Sequence, residues 1–399
     1  MPGALFTFAD WSPMRKKAPV KAMIVMGTRP EVVKLAPVAL ELHRYPKQFR
    51  VTLVGTGQHR DLVPQHLKMF RLRLDADLGV MKRRQSLADI TARTIQRMDA
   101  LLDEDRPDVV IVEGDTTAVL AAGLAAFYRK IPVAHVEAGL RSGNMYDPFP
   151  EELNRRLVGG FAQIHLAPTA AARDNLLREN VPADRIFVTG NTSVDALLIA
   201  AKRTPRRHAV SESKLKGRRM ILVTAHRRES WESGIREICL ALGELAERFP
   251  DLVIVYAVHP NPIVREQATA ILSGRDRVHL IDPPEYVAFV ELMKRSHLIL
   301  TDSGGIQEEA PSLGRPVLVM RKTTERTEGI EAGCSRLVGT EREQIVAETI
   351  GVLRDRSLYK RMVASANPYG DGKASARIRR ALAYTFGVTN RRPADFRGT

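Results

Sequence analysis

The stretch Leu298-Ile299-Leu300-Thr301-Asp302-Ser303-Gly304-Gly305-Ile306-Gln307-Glu308-Glu309 joins an apolar run to a polar, glycine-containing segment. Leu298–Leu300 predicts a buried strand, and the residues that follow predict the start of a helix. A helix that begins directly after a strand offers unpaired backbone N–H groups and its positive end to an anion. The two glycines let a phosphate approach the backbone, and Ser303 adds a hydroxyl. We expect Glu308 and Glu309 in the first helical turn, within reach of a sugar hydroxyl. An ordinary capped turn is the plain alternative.

The same strand-then-helix pattern recurs along the chain. Continuous apolar strands that alternate with helices are typical of parallel sheets covered on both faces. The sequence therefore predicts an α/β fold. The further strands are expected at Lys21–Met26, Arg50–Val54, Val109–Val112, Val133–His135, Met220–Thr224, Leu252–Val258, Val278–Ile281 and Val317–Val319, with helices at Glu31–His43, Thr117–Tyr128 and Ala374–Phe386.

Length and composition limit the possible classes of protein. A chain of 399 residues is too long for one ordinary core, so two domains are expected, with the apolar-poor stretch Ala201–Arg219 near their boundary. No apolar run approaches the ~18 residues of a membrane span. Residues 1–20 contain no apolar segment after their basic cluster, which indicates a disordered extension rather than a secretion signal. Cys239 and Cys334 are far apart in sequence, which favours two reduced thiols in a cytoplasmic protein.

The formal charge of +15 raises the question of nucleic-acid binding. The basic residues are scattered, however, and aromatic residues make up only 6% of the chain, which argues against a base-stacking surface. Scattered positive charge equally well steers an acidic small substrate, and we expect no nucleic-acid partner. The segment Gly55-Thr56-Gly57 lacks the third glycine of a dinucleotide fingerprint, so nicotinamide binding is not favoured.

Seven motifs in order resemble the non-hydrolysing UDP-N-acetylglucosamine 2-epimerase family, over essentially all of the chain from Lys21 to Phe386. The motifs are Gly27-Thr28-Arg29-Pro30-Glu31, Gly114-Asp115-Thr116-Thr117, His135-Val136-Glu137-Ala138-Gly139-Leu140-Arg141, Pro150-Glu151-Glu152, Gly190-Asn191-Thr192, His226-Arg227-Arg228-Glu229-Ser230 and the block Thr301–Arg326. The resemblance implies a GT-B architecture of two Rossmann-like domains facing across a cleft. The implied segments are an extension at 1–20, domains at 21–189 and 190–367, a helix at 368–388 that returns to the first domain, and a basic tail at 389–399.

The resemblance also implies the reaction. Members of the family are isomerases that invert carbon 2 of the sugar in UDP-N-acetylglucosamine, by elimination of UDP to a 2-acetamidoglucal and re-addition. That route needs no cofactor and no metal, and it requires an acid and a base on opposite faces of the sugar. The family implies a UDP-sugar as substrate, a homodimer, and no membrane or nucleic-acid partner.

By position in the motifs, the resemblance implies an acid–base set of Asp115, Glu137, Glu151 and His226. Each has a structural alternative: Asp115 as a helix N-cap, Glu151 as a first-turn residue and His226 as a core histidine. Glu137 follows a buried strand and lies near Gly139, where a carboxylate has little structural purpose. The implied substrate contacts are Arg29 and Lys34 near the diphosphate, Ser303, Gly304, Gly305 and Glu309 at phosphate and ribose, Arg326 as a further anion contact, and Pro284 and Phe289 at the uracil. Lys34 as an exposed helix lysine and Phe289 as plain core are the alternatives.

The family further implies a second, regulatory site for UDP-N-acetylglucosamine. Its residues match Gln58, His59, Arg84, Gln85 and His259 here, contributed by both domains. Asp61 stands where glutamine is common, and a carboxylate near a diphosphate would weaken the site. The alternative is that Arg84 and Gln85 belong to a solvated loop and have no regulatory role.

The chain departs from the family pattern at four positions. Glu113 stands where histidine is frequent, Ala225 where glycine is common, Pro284 where a glutamine usually contacts uracil, and Thr327 where proline is common. These departures leave open which UDP-sugar the site prefers.

The main alternative function is a 2-epimerase for a modified UDP-sugar such as a diacetamido-uronate, with Arg141 or Arg156 as the extra cation. A GT-B glycosyltransferase and a catalytically silent UDP-sugar-binding regulator are the others.

Overall fold

The computed structural model describes residues 19–57, 62–82, 85–205, 207–227 and 234–398. These residues form two compact units. The first contains the described residues up to Thr192 together with Lys373–Arg397, and the second contains Ser193–Gly372. The predicted regulatory residues Gln58, His59 and Arg84 lie outside the described residues, as does nearly all of the predicted N-terminal extension.

Each unit contains one wholly parallel sheet. The first sheet has seven strands in the order β3-β2-β1-β4-β5-β6-β7, and the second has six in the order β10-β9-β8-β11-β12-β13. The strands are β1 Val20–Met26, β2 Phe49–Gly55, β3 Ala76–Asp77, β4 Val109–Glu113, β5 Val133–Val136, β6 Ile164–Ala167, β7 Ile186–Val188, β8 Arg219–Thr224, β9 Leu252–Ala257, β10 Val278–Ile281, β11 Leu298–Thr301, β12 Val317–Val319 and β13 Ser335–Leu337.

Helices connect the strands. They are α1 Arg29–His43, α2 Leu62–Phe70, α3 Leu87–Glu104, α4 Thr117–Tyr128, α5 Glu151–Phe161, α6 Ala170–Arg178, α7 Thr192–Ala200, α8 Glu212–Leu215, α9 Gly234–Arg248, α10 Pro262–Leu272, α11 Tyr286–Arg295, α12 Gly304–Glu309, α13 Thr327–Glu331, α14 Arg342–Arg354, α15 Arg356–Ala364 and α16 Ala374–Thr385. Short 3-10 turns occupy Ala183–Arg185 and Ala310–Leu313. In the described part of the chain, the helices lack the combined length and apolar character that a membrane crossing requires.

The apolar strands are continuous because each sheet packs on both faces. Successive side chains of a strand point to opposite faces. Accordingly, Ile24 of β1 packs in one core of the first unit and Val25 packs in the other. In the second unit, Leu222 and Val223 of β8 divide in the same way. The predicted α/β class with parallel sheets is confirmed.

Helix α16 belongs to the first unit although it follows the second unit in sequence. Ile378 and Leu382 are fully buried in the core that contains α1. The Arg379 guanidinium lies 2.9 Å from Glu41, and its central carbon lies 3.8 Å from the centre of the Tyr45 ring. A buried ion pair and a cation–π contact therefore add to the apolar packing of this helix.

Both sheets have a point at which the strand order reverses. In the first sheet, β1 lies between β2 and β4, and in the second, β8 lies between β9 and β11. Connections leave such neighbouring strands in opposite directions, which opens a crevice outside their carboxyl ends where ligands bind in sheets of this type. We therefore expect ligand-binding residues directly after β1, β4, β8 and β11.

Candidate active site

Asp115 follows β4 at the crevice of the first sheet. The preceding residue, Gly114, has a φ of 76°, which favours glycine, and the N-cap of α4 is Thr116, whose hydroxyl accepts from the Val119 amide at 3.3 Å. Asp115 is therefore not the N-cap. Its carboxylate instead lies 2.6 Å from an Arg155 nitrogen on α5, and Asp115 is half-buried.

Glu137 follows β5, the strand beside β4. Its φ of 63° lies in the left-handed region, which costs a non-glycine residue on the order of 1–3 kcal/mol and persists only where the surroundings enforce it. The carboxylate accepts from Asn191 Nδ2 at 3.0 Å and contacts the Lys34 ammonium. Side chains from a distant helix and a distant loop therefore hold Glu137 in a costly conformation, which indicates a functional rather than a structural role.

Lys34, on α1, links two buried carboxylates. Its ammonium contacts Glu137 and lies 3.1 Å from Glu113, and only 15% of the side chain is exposed. Burial raises the pKa of Glu113 well above its usual range, against the opposing effect of Lys34. The alternative of an exposed helix lysine is wrong, because Lys34 is the cation of a buried acidic cluster.

His135 supports the turn that carries Asp115. Its Nε2 lies 2.8 Å from the Gly114 carbonyl oxygen. A carbonyl only accepts, so Nε2 carries the ring proton and Nδ1 is the bare nitrogen. Burial lowers the pKa of His135 to about 4, and the ring is neutral near pH 7. The histidine of the family motif therefore positions the β4 turn in its neutral form.

Glu151 is the first residue of α5, so its predicted alternative as a first-turn residue describes its place correctly. The structural work at this helix end is nevertheless done by Glu152, which is fully buried and accepts from the Ser142 amide at 2.9 Å. One carboxylate oxygen of Glu151 is buried without a hydrogen-bond partner among the described residues. A buried oxygen left unpaired is costly, and such groups concentrate at functional sites.

Arg29 begins α1 directly after the β1 turn and is exposed. Glu31, two residues later, accepts from the Gly27 amide at 2.6 Å and from the Thr28 hydroxyl at 2.9 Å. Glu31 therefore holds the turn, and Arg29 is exposed beside it.

His226 follows β8 and has a carboxylate partner from β11. Its Nδ1 lies 2.9 Å from Asp302 Oδ1, while Asp302 Oδ2 accepts from the backbone amides of His226 and Arg227 at 2.7 and 2.8 Å. Asp302 is fully buried, whereas 41% of the His226 side chain is exposed. His226 is therefore not a core histidine. Its ring is anchored on one edge and stacks on His259, with the ring centres 5.9 Å apart.

Helix α12 places the predicted phosphate-binding residues at its start. Ser303 is the N-cap residue, with no side-chain capping bond, and Gly304 and Gly305 are the first two helical residues. A side chain at Gly304 would lie 3.0 Å from the central guanidinium carbon of Arg326. Glycine here lets this cation lie close to the helix start, and a larger residue would require Arg326 to shift.

The predicted place of Glu308 and Glu309 in the first turn of this helix is wrong. The helix begins at Gly304, so its first turn contains no acidic residue and both carboxylates lie beyond it. Glu308 accepts from Arg326 Nε at 3.0 Å, and Glu309 accepts from the Tyr286 hydroxyl at 3.0 Å. Both carboxylates are buried, and each is oriented by the donor that contacts it.

The predicted uracil-contacting residues lie at α11. Phe289 is half-buried and packs against the second-unit core beside Tyr286, which fits the plain core alternative as well as a binding role. Pro284 is half-buried in the segment before the helix.

Of the predicted regulatory residues, Gln85 accepts from the Lys82 amide at 2.7 Å and donates to the Val80 carbonyl at 2.8 Å. His259 stacks on His226.

Sequence reasoning missed three residues that the structure brings into these clusters. Asn191 holds Glu137, Arg155 pairs with Asp115, and Asp302 anchors His226. Asn191 and Asp302 lie within family-like motifs at strand ends, which was the available signal. Arg155 is a helix residue with no distinguishing pattern.

The comparisons with known proteins agree with this arrangement. The family model described as UDP-N-acetylglucosamine 2-epimerase matches residues 41–383. The chain is 49% identical to the UDP-N-acetylglucosamine 2-epimerase of Bacillus subtilis strain 168, over 95% of this chain and 99% of the relative. It is 50% identical to the enzyme of the same name from Escherichia coli K12, over 91% and 98%.

A solved structure is also similar. The UDP-GlcNAc 2-epimerase from Neisseria meningitidis, in its crystal structure bound to UDP-GlcNAc, superposes with a TM-score of 0.82 at 45% identity, covering 91% of this chain and 99% of that one. With a family model over most of its length and relatives near 50% identity, the chain belongs to the UDP-N-acetylglucosamine 2-epimerase family of isomerases.

Proposed function

We propose that the protein interconverts UDP-N-acetylglucosamine and UDP-N-acetylmannosamine by elimination and re-addition of UDP. The observation that carries the proposal is the position of three carboxylates: Asp115 and Glu137 follow the neighbouring strands β4 and β5, and Glu151 begins α5. Arg155 contacts Asp115, and Lys34 contacts Glu137, so at least two of the three are oriented by buried cations.

The chemistry explains why several carboxylates are needed. The hydrogen on carbon 2 is not acidic enough for simple removal and return. In the proposed route a base takes that proton while the bond from carbon 1 to the diphosphate oxygen breaks, and its electron pair leaves with UDP. The resulting 2-acetamidoglucal then regains UDP at carbon 1 and a proton at carbon 2 on the opposite face. One carboxylate acts as the base and another as the acid.

The second unit supplies groups suited to the leaving diphosphate. His226 offers a half-exposed ring anchored by Asp302, and the start of α12 offers backbone N–H groups at Gly304 and Gly305. We assign the nucleotide and its phosphates chiefly to these groups, with Glu309 for the ribose and the exposed Arg29 as a further cation. Pro284 and Phe289 are assigned to the uracil.

We further propose a regulatory second site for UDP-N-acetylglucosamine that includes Gln85 and His259. The contact between the rings of His259 and His226 supports it, because a ligand at His259 would act directly on a catalytic candidate. We also propose that the enzyme acts as a homodimer and supplies precursors of surface polysaccharides.

The modified-sugar alternative required Arg141 or Arg156 as an additional cation. Arg141 makes a two-pronged contact with Glu179 at 2.8 and 2.6 Å, and Arg156 lies 3.2 Å from Glu152. Both charges are already paired, which favours the unmodified sugar.

The test is incubation of the purified protein with UDP-N-acetylglucosamine in deuterated water, followed by nuclear magnetic resonance and mass spectrometry. Appearance of the manno isomer with deuterium at carbon 2 is the expected result. A glycosyltransferase would show transfer only when an acceptor is supplied. Binding of the sugar nucleotide without isomer or deuterium would identify a silent binder and contradict the proposal.

A further inference from the structure

Tyr369 lies between α15 and α16, in a segment to which the proposed function gives no role. Its side chain is 3% exposed, so its hydroxyl needs partners within the protein. The hydroxyl donates to the Arg326 carbonyl oxygen at 3.0 Å and accepts from the Gly329 amide at 2.9 Å. Burial raises the pKa of Tyr369, so the hydroxyl keeps the proton that it donates. Tyr369 therefore binds two backbone groups at the start of α13, which lie 43 and 40 residues earlier in the chain.

These two contacts take the place of a helix cap. Arg326 is the N-cap residue of α13, and Gly329 is the third residue of that helix. The amide at this third position is one that an N-cap side chain ordinarily binds, through the oxygen of a serine, threonine or aspartate. An arginine side chain carries only donors and cannot accept from it. The Tyr369 hydroxyl supplies the acceptor that residue 326 does not.

Gly329 allows the hydroxyl to come this close. A side chain at this position would begin 3.0 Å from the Tyr369 hydroxyl oxygen and 3.2 Å from Ser335 Oγ. Glycine inside a helix is destabilising relative to alanine, and the close approach of Tyr369 gives a reason for its presence. The helix start and the distant tyrosine are therefore matched in shape.

Because another residue caps the helix, the side chain of Arg326 serves a different purpose. Its Nε and Nη2 lie 3.0 and 2.9 Å from Glu308, and its Nη1 lies 2.7 Å from Glu325. The guanidinium also lies beside Gly304, at the start of α12. A planar guanidinium held by two carboxylates has a defined orientation, which suits it to bind an anion in one geometry.

Asn367 fixes the other partner of this ion pair. Its Nδ2 donates to the Glu308 carbonyl oxygen at 2.7 Å and to Ser312 Oγ at 2.6 Å, and its Oδ1 accepts from the Tyr369 amide at 3.0 Å. Residues 367 and 369 thus bind the backbones of both Glu308 and Arg326, whose side chains bind each other.

We propose that Tyr369 is a positioning residue for nucleotide binding, which caps α13 so that the side chain of Arg326 is placed for an anion instead of for its own helix. Asn367 supports the same arrangement by fixing Glu308. The inference rests on the proposed function, because it takes the phosphates of the sugar nucleotide to bind beside Arg326. Any effect of Tyr369 on nucleotide affinity must then pass through Arg326.

The test is calorimetric titration of UDP into Tyr369→Phe, Arg326→Met and the double variant. Phenylalanine keeps the ring and removes only the hydroxyl, so Tyr369→Phe should weaken UDP binding by roughly two- to tenfold, as expected for one hydrogen bond. Arg326→Met should weaken it by roughly 10- to 150-fold, as expected for one charge-assisted contact. In the Arg326→Met background, Tyr369→Phe should have no further effect, because the residue through which it acts is absent.

Tyr359→Phe is the matched control. Tyr359 is on α15 of the same unit and also donates its hydroxyl to a backbone carbonyl, that of His297, at 3.2 Å. This variant should keep the parent's UDP affinity, whatever its effect on stability.

Gly329→Ala disturbs the same contact by a second route, because the added methyl would press on the Tyr369 hydroxyl. It should also weaken UDP binding. Gly351→Ala in α14 is its control, since a methyl there would meet no neighbouring group of the described residues within 4 Å.

Steady-state turnover gives a further measurement. In Tyr369→Phe the KM for the sugar nucleotide should rise with the UDP dissociation constant, and kcat should fall by a smaller factor, because the three candidate carboxylates belong to the first unit. Three results would each overturn the inference: parent-like UDP affinity in both Tyr369→Phe and Gly329→Ala, an undiminished effect of Tyr369→Phe in the Arg326→Met background, or an equal loss of affinity in Tyr359→Phe. If the parent forms no isomer while the UDP titrations behave as expected, the proposed function fails and the role of Tyr369 stands.

Discussion

The two units have similar strand orders but carry different side chains at the corresponding strand ends. At the crevice of the first sheet, the strand ends carry three acids, the buried Glu113 and Glu137 and the half-buried Asp115, with Lys34 and Arg155 as their cations. At the crevice of the second sheet, the strand ends carry a half-exposed histidine and the start of a glycine-containing helix. A parallel sheet therefore provides the position, and the side chains placed there carry the proposed division between proton transfer and anion binding.

Burial explains the difference between the two strand ends. A carboxylate surrounded by protein loses its hydration, which raises its pKa, and a neighbouring cation such as Lys34 opposes that rise for Glu113. An anion arriving from solvent instead needs donors that remain accessible, as His226 does. Variants on one side should therefore alter the rate, and variants on the other should alter the affinity.

The largest expected effect is that of Asp115→Asn. Asparagine keeps the shape but cannot take or give the proton, so turnover should fall by roughly 10²–10⁴-fold. Coupled assays of isomer formation would measure it. Asp99→Asn is the matched control, because Asp99 also pairs with an arginine, Arg129 at 2.5 Å, but lies in α3 outside the cluster. Parent-like turnover in folded Asp115→Asn would remove this residue from the acid–base set.

Lys34→Met should have the second-largest effect. Removing one partner of a buried ion pair leaves uncompensated charge and typically costs about 3–5 kcal/mol, so both stability and turnover should drop. Urea unfolding would record the free energy. Lys21→Met is the control, since the pair of Lys21 with Asp105 is nearly half exposed, and such pairs contribute about 0–1 kcal/mol. Equal losses in the two variants would contradict the buried-cluster interpretation.

His226→Ala should weaken UDP binding. A charge-assisted contact to the diphosphate is worth on the order of 1.5–3 kcal/mol, which is roughly 10- to 150-fold in affinity. The matched control is His208→Ala, because His208 also lies beside a carboxylate, Glu291 at 2.9 Å, but on an exposed surface of the second unit. If His208→Ala weakens binding as much as His226→Ala, the effect is not specific to the strand end.

The smallest effect concerns the proposed second site. The reverse reaction should be slow with UDP-N-acetylmannosamine alone and should accelerate when traces of UDP-N-acetylglucosamine are added, because a bound activator favours the state that it binds better. Progress curves that are linear from time zero and indifferent to the addition would show that the site is absent or idle.

The main elements of the fold could be predicted because their signals are local. The helix at Thr117–Tyr128 and the strands at Val278–Ile281 and Val317–Val319 have the predicted bounds. Four strands were missed, and all are short: Ala76–Asp77, Ile164–Ala167, Ile186–Val188 and Ser335–Leu337. A run of two to four residues, sometimes with His165 or Arg336 inside, carries too little periodicity to identify, and only pairing with its neighbours makes it a strand.

The candidate site could be predicted only in part. Motif positions indicated Asp115, Glu137 and His226, but their partners depend on contacts between residues far apart in sequence. Lys34 and Glu137 are 103 residues apart, and His226 and Asp302 are 76 apart. No local pattern shows that Lys34 lies between two buried carboxylates, because tertiary packing decides it.

The most direct test of the division between the units is calorimetric titration with UDP of three variants under one set of conditions. Asp115→Asn and Lys34→Met should bind UDP as tightly as the parent, because their residues serve the acid–base cluster. His226→Ala should bind more weakly. Loss of UDP affinity in the two first-unit variants, with parent-like affinity in His226→Ala, would contradict the account.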